Sequence, residues 1–181
     1  MDFSALRSKG SVTLVGFARE HASHLATSGL LGLAGEVAAL ELAADALQEA
    51  VNERMPLASA LAERVEMKET ARQRLISLVQ EMSYELLAPK RLRGDRSATE
   101  YRMLFPEGNI RFAYGPEGIL SVQAHAIVSV LAAHPEHPMA DSHGPLDEAR
   151  AVLDATFEPL EGARFALRDA REKERNARKA L

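Results

Sequence analysis

Between Leu30 and Val51, apolar residues recur at alternating steps of three and four. The members of this seam are Leu30, Leu33, Val37, Leu40, Ala44, Leu47 and Val51. Such spacing puts every one of them on a single stripe of an α-helix. A stripe of that length has to be covered by other helices, because exposed apolar surface is unfavourable in water. The feature therefore predicts a chain built from packed helices.

A second seam of the same spacing lies between Leu57 and Leu87, after a turn signal at Met55-Pro56. It is apolar at both ends and cationic in the middle: Leu61, Val65, Lys68, Arg72, Leu75, Val79, Met82 and Leu86. Because proline disfavours helical geometry in the residue before it, we predict that the chain turns near residue 54. The two seams then form an antiparallel helical hairpin and cover each other.

Lys68 and Arg72 interrupt the second seam, and two interpretations of them stay open. In the hairpin they lie near Glu36 and Glu41, so cross-helix ion pairs that fix the register are one interpretation. The other is that Lys68 and Arg72 face an anionic ligand inside the bundle. They are therefore candidate ligand-binding residues.

Further helices are predicted on both sides of this hairpin. One covers Ser11 to Ala26, with Ser11 as its N-cap. Another covers Ile119 to Ala133, the most apolar segment, which we expect to be the most buried helix. Its only polar stripe is Ser121, His125 and Ser129, so His125 is expected to be buried and held by the hydroxyl groups.

A last seam begins near Pro145 and consists of Leu146, Ala149, Leu153, Thr156, Leu160, Ala163, Leu167 and Ala170. Pro159 and Gly162 interrupt it, so one kinked helix and two successive helices are both compatible with the pattern. The following residues, 171–181, are predicted to form a charged helical extension in solvent. Within that extension Arg171, Arg175 and Arg178 are candidates for contact with a partner.

These elements predict an all-α fold, an antiparallel bundle of four to five main helices in a single domain spanning residues 1–181. Residues 88–118 are rich in proline and glycine and predict a long irregular crossover. Within it, Ser97–Glu100 has the form of a capping box for a short helix over residues 98–104. The alternation of Ile110, Phe112 and Tyr114 is typical of a short strand.

The crossover also concentrates aromatic and basic side chains, which favours a binding role. The candidates for partner contact here are Arg91, Arg93, Tyr101 and Phe105. The alternative is that the aromatic rings close one end of the bundle while the arginines stay solvated.

Residues 134–145 form a Pro/His-rich segment that is predicted to be an extended, exposed linker. Its three histidines, His134, His137 and His143, offer imidazoles that Zn²⁺ or Ni²⁺ accept as ligands. Their spacing matches no known metal motif, so we predict no metal site and no cofactor.

Composition excludes several function classes. The net charge of −4 opposes general nucleic-acid binding, which needs a basic surface. The lack of cysteine removes thiolate nucleophiles and cysteine-ligated metals. No apolar run is long enough to span a membrane, and no signal-peptide pattern follows Met1, so a cytoplasmic protein is expected.

No complete catalytic or nucleotide-binding motif is present either. The sequence therefore favours a non-enzymatic interaction or assembly module that binds a protein partner or a second copy of itself. The alternative is a helical bundle that binds a small ligand or a metal ion.

Overall fold

The computed structural model describes residues 10–28, 32–108 and 117–181, and the fold is all-α, as predicted. The described residues contain helices and no strand. In chain order the helices are α1 (Ser11–Thr27), α2 (Ala34–Leu86), α3 (Thr99–Leu104), α4 (Glu117–Ala133), α5 (His143–Asp154) and α6 (Phe157–Ala180). A 3₁₀ turn at Ala140–Ser142 precedes α5.

Contacts between residues divide the chain into two compact units. The first contains the described residues up to Glu63 together with Glu161–Leu181, and the second is Arg64–Leu160. Helices α2 and α6 each contribute residues to both units. Each unit has its own hydrophobic cluster, so the two are described separately below.

The largest correction to the sequence analysis concerns α2, which is one helix of 53 residues with Pro56 in its interior. The predicted turn near residue 54 is wrong, and the two seams are therefore not the two arms of a hairpin. An interior proline costs about 3 kcal/mol relative to alanine, because it loses one hydrogen bond and crowds the preceding turn. Flanking residues rich in alanine, leucine, glutamate and arginine favour helix strongly enough to offset that cost.

In the first unit the seam of α2 is covered by α1 and α6. Leu47 and Val51 are buried against Val15 of α1 in one cluster, and Ala177 of α6 packs against it. Helix α1 matches its predicted bounds, but Ser11 is not its cap. Gly10 occupies the cap position, and the Ser11 hydroxyl instead donates a hydrogen bond to Glu174 Oε1 at 2.5 Å.

The charged C-terminal extension belongs to this unit. Glu174 continues the apolar seam of α6 with a carboxylate whose side chain is only 15% exposed. Its Oε2 lies 2.5 Å from Nε of Arg54, as an ion pair without the alignment of a hydrogen bond. Lys173 binds Glu53 at 2.9 Å, and this carboxylate raises the pKa of Lys173. The expectation of a fully solvated extension is therefore wrong for its inner face.

The second unit buries one face of the C-terminal part of α2 against α3, α4 and α5. Leu75, Val79 and Leu86 of α2 have almost no exposed surface. Helix α4 buries Leu120, Ala124, Ile127, Val128 and Leu131, but Ile119 and Val122 on its other face are exposed. The composition of α4 predicted burial around the whole helix, but only one face of the helix is buried.

His125 lies on the exposed side of α4, so the prediction of a buried histidine is wrong. Neither serine holds its ring. Ser129 donates to the His125 backbone carbonyl at 2.8 Å, and Ser121 donates to Asp154 of α5 at 2.6 Å.

The structure also settles the last seam in favour of two helices. The break falls at Ala155–Thr156, and Pro159 lies in the first turn of α6, where a proline is tolerated. The predicted strand-like segment Ile110–Tyr114 falls in residues 109–116, outside the described residues. No helix among the described residues has the length and apolarity needed to cross a lipid bilayer.

The continuity of α2 can be tested with Pro56→Ala. If the helix runs through residue 56, alanine removes the steric conflict and raises the free energy of unfolding by about 1–3 kcal/mol in urea titrations. Pro159→Ala is the matched control, with an expected change within about 1 kcal/mol, because the first helical turn needs no N–H at that position. A turn at residue 54 predicts instead that Pro56→Ala is neutral or destabilising.

Candidate functional site

The strongest candidate site lies in the second unit, where the chain leaves α2 and enters α3. Residues 87–98, called the basic turn below, are fixed by a dense set of backbone hydrogen bonds. Leu92 donates to Leu86, Arg93 to Ala88, and Gly94 to Leu87, at 2.9–3.2 Å. This part of the crossover, predicted to be irregular, is therefore a defined structure rather than a loose loop.

The Arg91 side chain fastens the basic turn to neighbouring segments. Its guanidinium donates to the Pro138 carbonyl at 2.5 Å and to Glu85 of α2 at 2.6 Å. It also lies 3.5 Å from the Met139 sulfur. Because these contacts occupy its donors, Arg91 holds the turn in place, although the sequence suggested it for partner contact.

Arg93 has a backbone φ of 51°, and it is the one non-glycine residue with a positive φ among the described residues. A side chain in this left-handed region costs about 1–2 kcal/mol, and Gly94 follows with φ 80°. Strain of this kind persists only where the surrounding structure enforces it, and it is concentrated at functional positions. The backbone of Arg93 is thus held in an unusual conformation at the surface.

Asp95 closes the turn through hydrogen bonds with Ser97, two residues further along the chain. Its Oδ1 accepts hydrogen bonds from the Ser97 backbone N–H at 2.8 Å and the Ser97 hydroxyl at 2.6 Å. These bonds lower the pKa of Asp95 from its usual value of 3.8. The carboxylate therefore supports the turn above pH 3.8 and loses this role as the pH falls through its lowered pKa. The predicted capping box is absent, because α3 has no side-chain cap.

Four basic residues in and beside the turn point into solvent: Lys90, Arg93, Arg96 and Arg102. Among the described residues none of the four has a carboxylate partner within 4 Å. Residues 90–102 contain five basic and two acidic side chains, in a chain whose net charge is −4. This stretch therefore carries a positive net charge although the protein as a whole is acidic.

Tyr101 and Phe105 do not contribute to this surface. Tyr101 is 2% exposed and Phe105 4% exposed, and their rings pack against each other with centroids 5.1 Å apart. The Tyr101 hydroxyl shares a hydrogen bond with Ser83 of α2 at 3.2 Å. Both rings belong to the hydrophobic core, which agrees with the alternative that aromatic residues close the bundle.

A groove of about 320 Å³, lined mainly by apolar side chains, lies between α4 and the segment that runs from α3 to Gly108. This α3–α4 groove is lined on one side by Met103–Gly108 and on the other by Gln123, Ala126, Ile127 and Val130. Its volume is at the lower end of the range for ligand pockets. Its two walls are joined along the chain by a connection that includes residues 109–116, which lie outside the described residues.

The wall formed by α4 continues beyond the groove as an exposed apolar stripe. Val122, Ala126 and Val130 are spaced by four residues and therefore share one face, and Val122 is 67% exposed. Part of the apolar surface of α4 is thus left exposed.

Glu107 and Gln123 are the polar side chains of the groove wall, and the sequence analysis singled out neither. The Oε1 of Gln123 is sealed from solvent and has no hydrogen-bond partner among the described residues. A sealed, unpaired acceptor costs about 1–3 kcal/mol. No sequence signal singles out this glutamine, because only the packing of α4 against its neighbours decides that its oxygen is enclosed.

Lys68 and Arg72 lie on α2 in the second unit. Lys68 is 9% exposed, and Arg72 pairs with Glu69 one turn away at 3.0 Å. Glu36 and Glu41, the predicted partners, are exposed residues of the first unit, so the cross-helix pairs of the hairpin are wrong. The hydrogen bonds from Gln73 and Arg72 lower the pKa of Glu69. Binding of an anion at Lys68 and Arg72 stays a prediction.

The segment 134–145 is not an extended linker, since His137 is 6% exposed and folded into a tight turn. Its Nδ1 accepts a hydrogen bond from the Met139 backbone N–H at 3.1 Å, which assigns the ring proton to Nε2. That Nε2 then donates to the Glu100 carbonyl at 3.1 Å. Both nitrogens are occupied, so His137 connects α3 to the start of the α5 region rather than offering a free ligand.

The other two histidines lie apart from this arrangement. His134 contacts Glu136 at 2.9 Å. A hydrogen bond from the backbone of Glu136 itself, followed by the one from His134, lowers the pKa of that carboxyl. His143 begins α5. Within the described ranges no group of three or more histidine or carboxylate side chains is close enough together to hold a metal ion.

The candidate residues of the C-terminal extension lie in the first unit. Arg171 and Arg175 are exposed, whereas Arg178 is half-buried and has an interaction within the protein. Arg91, Arg93 and the core residues Tyr101 and Phe105 thus belong to the second unit, and the three arginines of the extension belong to the first. Comparisons of the chain with protein-family models, curated proteins and solved structures each gave no match.

The structural role of His137 can be tested with His137→Ala. This change leaves the buried Met139 N–H and the partly buried Glu100 carbonyl without their histidine partner, and lowers the free energy of unfolding by about 2–4 kcal/mol in urea titrations. His134→Ala is the matched control, with an expected change within about 0.5 kcal/mol, because its contact with Glu136 is at the surface. Equal effects of the two substitutions would contradict the assignment.

The unpaired Oε1 of Gln123 leads to a second prediction about the free energy of unfolding. Gln123→Leu replaces the amide by an aliphatic side chain that is one atom shorter and removes the sealed acceptor, so it raises the free energy of unfolding by about 1 kcal/mol. Gln48→Leu, at a position where the amide donates to Asn52 in solvent, changes stability by less than about 0.5 kcal/mol. A clear loss of stability in Gln123→Leu means that Oε1 has a partner in solution.

Proposed function

We propose that the chain is a non-enzymatic interaction module that uses the basic turn to bind an acidic segment of a protein partner. The single observation that carries the proposal is the rigid display of Lys90, Arg93 and Arg96, with Arg102 beside them, without carboxylate partners among the described residues. The proposal includes the cytoplasmic location expected from the sequence.

Rigidity is the physical reason to favour binding over simple solvation. A flexible arginine loses side-chain and backbone freedom when it binds, and that entropy reduces affinity. In the basic turn the backbone is already fixed by hydrogen bonds and by the Arg91 anchor. Binding then requires ordering of the side-chain ends only, and the local positive charge attracts an acidic segment from a distance.

The left-handed Arg93 adds to this argument. Glycine suits a φ of 51° without steric cost, so the arginine is held there at the expense of stability. A residue that breaks a local rule of stability points to a functional constraint at that position. The guanidinium also binds carboxylates with two parallel hydrogen bonds, which a single ammonium group does not provide.

The test compares two pairs of charge reversals in the full chain. Fluorescein-labelled poly-L-glutamate is titrated at low ionic strength, and binding is followed by fluorescence polarisation. Arg93→Glu with Arg96→Glu is expected to weaken binding at least tenfold, because two attractive contacts become repulsive. Arg171→Glu with Arg175→Glu changes the net charge equally and is expected to alter affinity less than twofold.

Arg93→Gly provides a check that does not disturb the fold, since glycine fits the left-handed backbone. It should leave stability within about 1 kcal/mol of the wild type and still weaken binding several-fold. Equal weakening by the two double variants would assign the effect to net charge alone and overturn the proposal. Tighter binding of a single-stranded DNA oligonucleotide than of poly-L-glutamate would also overturn it.

A further inference from the structure

We infer that a pocket between α2 and α5 binds a free α-amino acid with an aliphatic side chain, with Arg74 holding its carboxylate and Glu148 its ammonium group. This site goes beyond the proposed function and does not depend on it. The pocket has a volume of about 230 Å³ and lies within the second unit. Its lining residues are Ala71 and Arg74 of α2, and Pro145, Glu148, Ala149 and Val152 of α5.

Helical spacing brings these side chains to one place. Arg74 follows Ala71 by three residues, and the four lining residues of α5 follow one another at steps of three, one and three, so each set shares one face of its helix. Ala71 and Ala149 are each 7% exposed, and their short side chains leave room that a larger residue would occupy. Val152 is 53% exposed and offers an apolar surface to a ligand in the pocket.

Arg74 and Glu148 give the pocket one positive and one negative charge. Both are exposed, and within the part of the chain that the structure describes neither has an ion-pair partner within 4 Å. They therefore do not pair with each other, although both line the same pocket. Arg72 and Arg150, on the same two helices, each pair with a carboxylate of their own helix at 2.8–3.0 Å. The two charges of the pocket are thus available to a ligand.

The chemistry of the two charged groups selects a zwitterion as the ligand. A guanidinium binds a carboxylate through two parallel hydrogen bonds, and a carboxylate accepts strong hydrogen bonds from an ammonium group. An α-amino acid carries both partner groups on one carbon atom, whereas a singly charged molecule leaves one wall of the pocket unpaired. The volume is also below the range of about 300–1,000 Å³ that is typical of pockets for drug-sized ligands. It therefore favours a molecule of amino-acid size over a larger ligand.

The experiment titrates the full chain with L-leucine at low ionic strength and follows binding by calorimetry and by the melting temperature. Two compounds keep the leucine skeleton and one charge: 4-methylpentanoate lacks the ammonium group, and 3-methylbutylamine lacks the carboxylate. We expect leucine to bind one-to-one with a dissociation constant of about 1 mM or lower, and each singly charged compound to bind at least about tenfold more weakly. Glycine, which has no side chain, should bind at least about threefold more weakly than leucine.

Two variants assign each charge of the ligand to its partner. Arg74→Gln should weaken leucine binding at least about tenfold without weakening the binding of 3-methylbutylamine, which has no carboxylate to lose a partner. Glu148→Gln should weaken leucine binding equally without weakening the binding of 4-methylpentanoate. Lys179→Gln and Glu158→Gln remove the same charges at other exposed positions and should change the leucine affinity less than about twofold. All four side chains are exposed, so none of these changes disturbs the core.

Three outcomes would overturn the inference. The first is that leucine produces neither binding heat nor a rise in the melting temperature. The second is that leucine and a singly charged compound bind equally well, because one of the two charges then has no role. The third is a dimer in sedimentation velocity that Arg74→Gln or Glu148→Gln dissociates, because a second copy of the chain then pairs with the charges of the pocket.

Discussion

The fold depends on the ability of α2 to remain helical through Pro56. One 53-residue helix supplies buried residues to both units, with Leu47 and Val51 in the first cluster and Leu75 and Val79 in the second. The proline costs one backbone hydrogen bond, but the cost is local, whereas apolar burial is distributed along the helix on both sides of it. If the helix ended at Pro56, both apolar stripes would still have to be covered by other helices.

Glu174 and Arg72 occupy seam positions where leucine or alanine is expected. Each charge is compensated by a different set of contacts. Glu174 accepts the Ser11 hydroxyl and pairs with Arg54, so its nearly buried carboxylate is compensated on both oxygens. Arg72 turns towards Glu69 on the same helix. Such pairs add little stability, since desolvation offsets most of their attraction, but they favour one register over its alternatives.

The basic turn illustrates how side chains with similar sequence context acquire different roles. Arg91 and Arg93 are two residues apart in a run of basic residues, and both were candidates for partner contact. The Pro138 carbonyl and Glu85 bind the guanidinium of Arg91 and make it an internal anchor. Arg93 has no such neighbours and stays at the surface on a left-handed backbone. Arg91 fixes the backbone of the basic turn, and Arg93 presents its charge at the surface from that fixed backbone.

Much of the helical content was determined by the sequence alone. The steps of three and four, the alanine and leucine content and the loss of periodicity after residue 87 gave α1, α4 and the all-α class, because helical periodicity is a local property of the side chains. The same reasoning located the basic crossover and the short helix within it, although the predicted capping box at Ser97 is absent because α3 has no side-chain cap.

Only the tertiary structure decided which surfaces cover each stripe and which side chains remain exposed. The sequence cannot distinguish a proline that ends a helix from one that is tolerated inside it, since the outcome depends on packing far from the proline. Nor does it show that His125 is exposed, that His137 is enclosed, or that Gln123 carries a sealed oxygen beside a groove. Those properties arise from contacts between residues distant in the chain, whereas a periodic pattern specifies only one face of one helix.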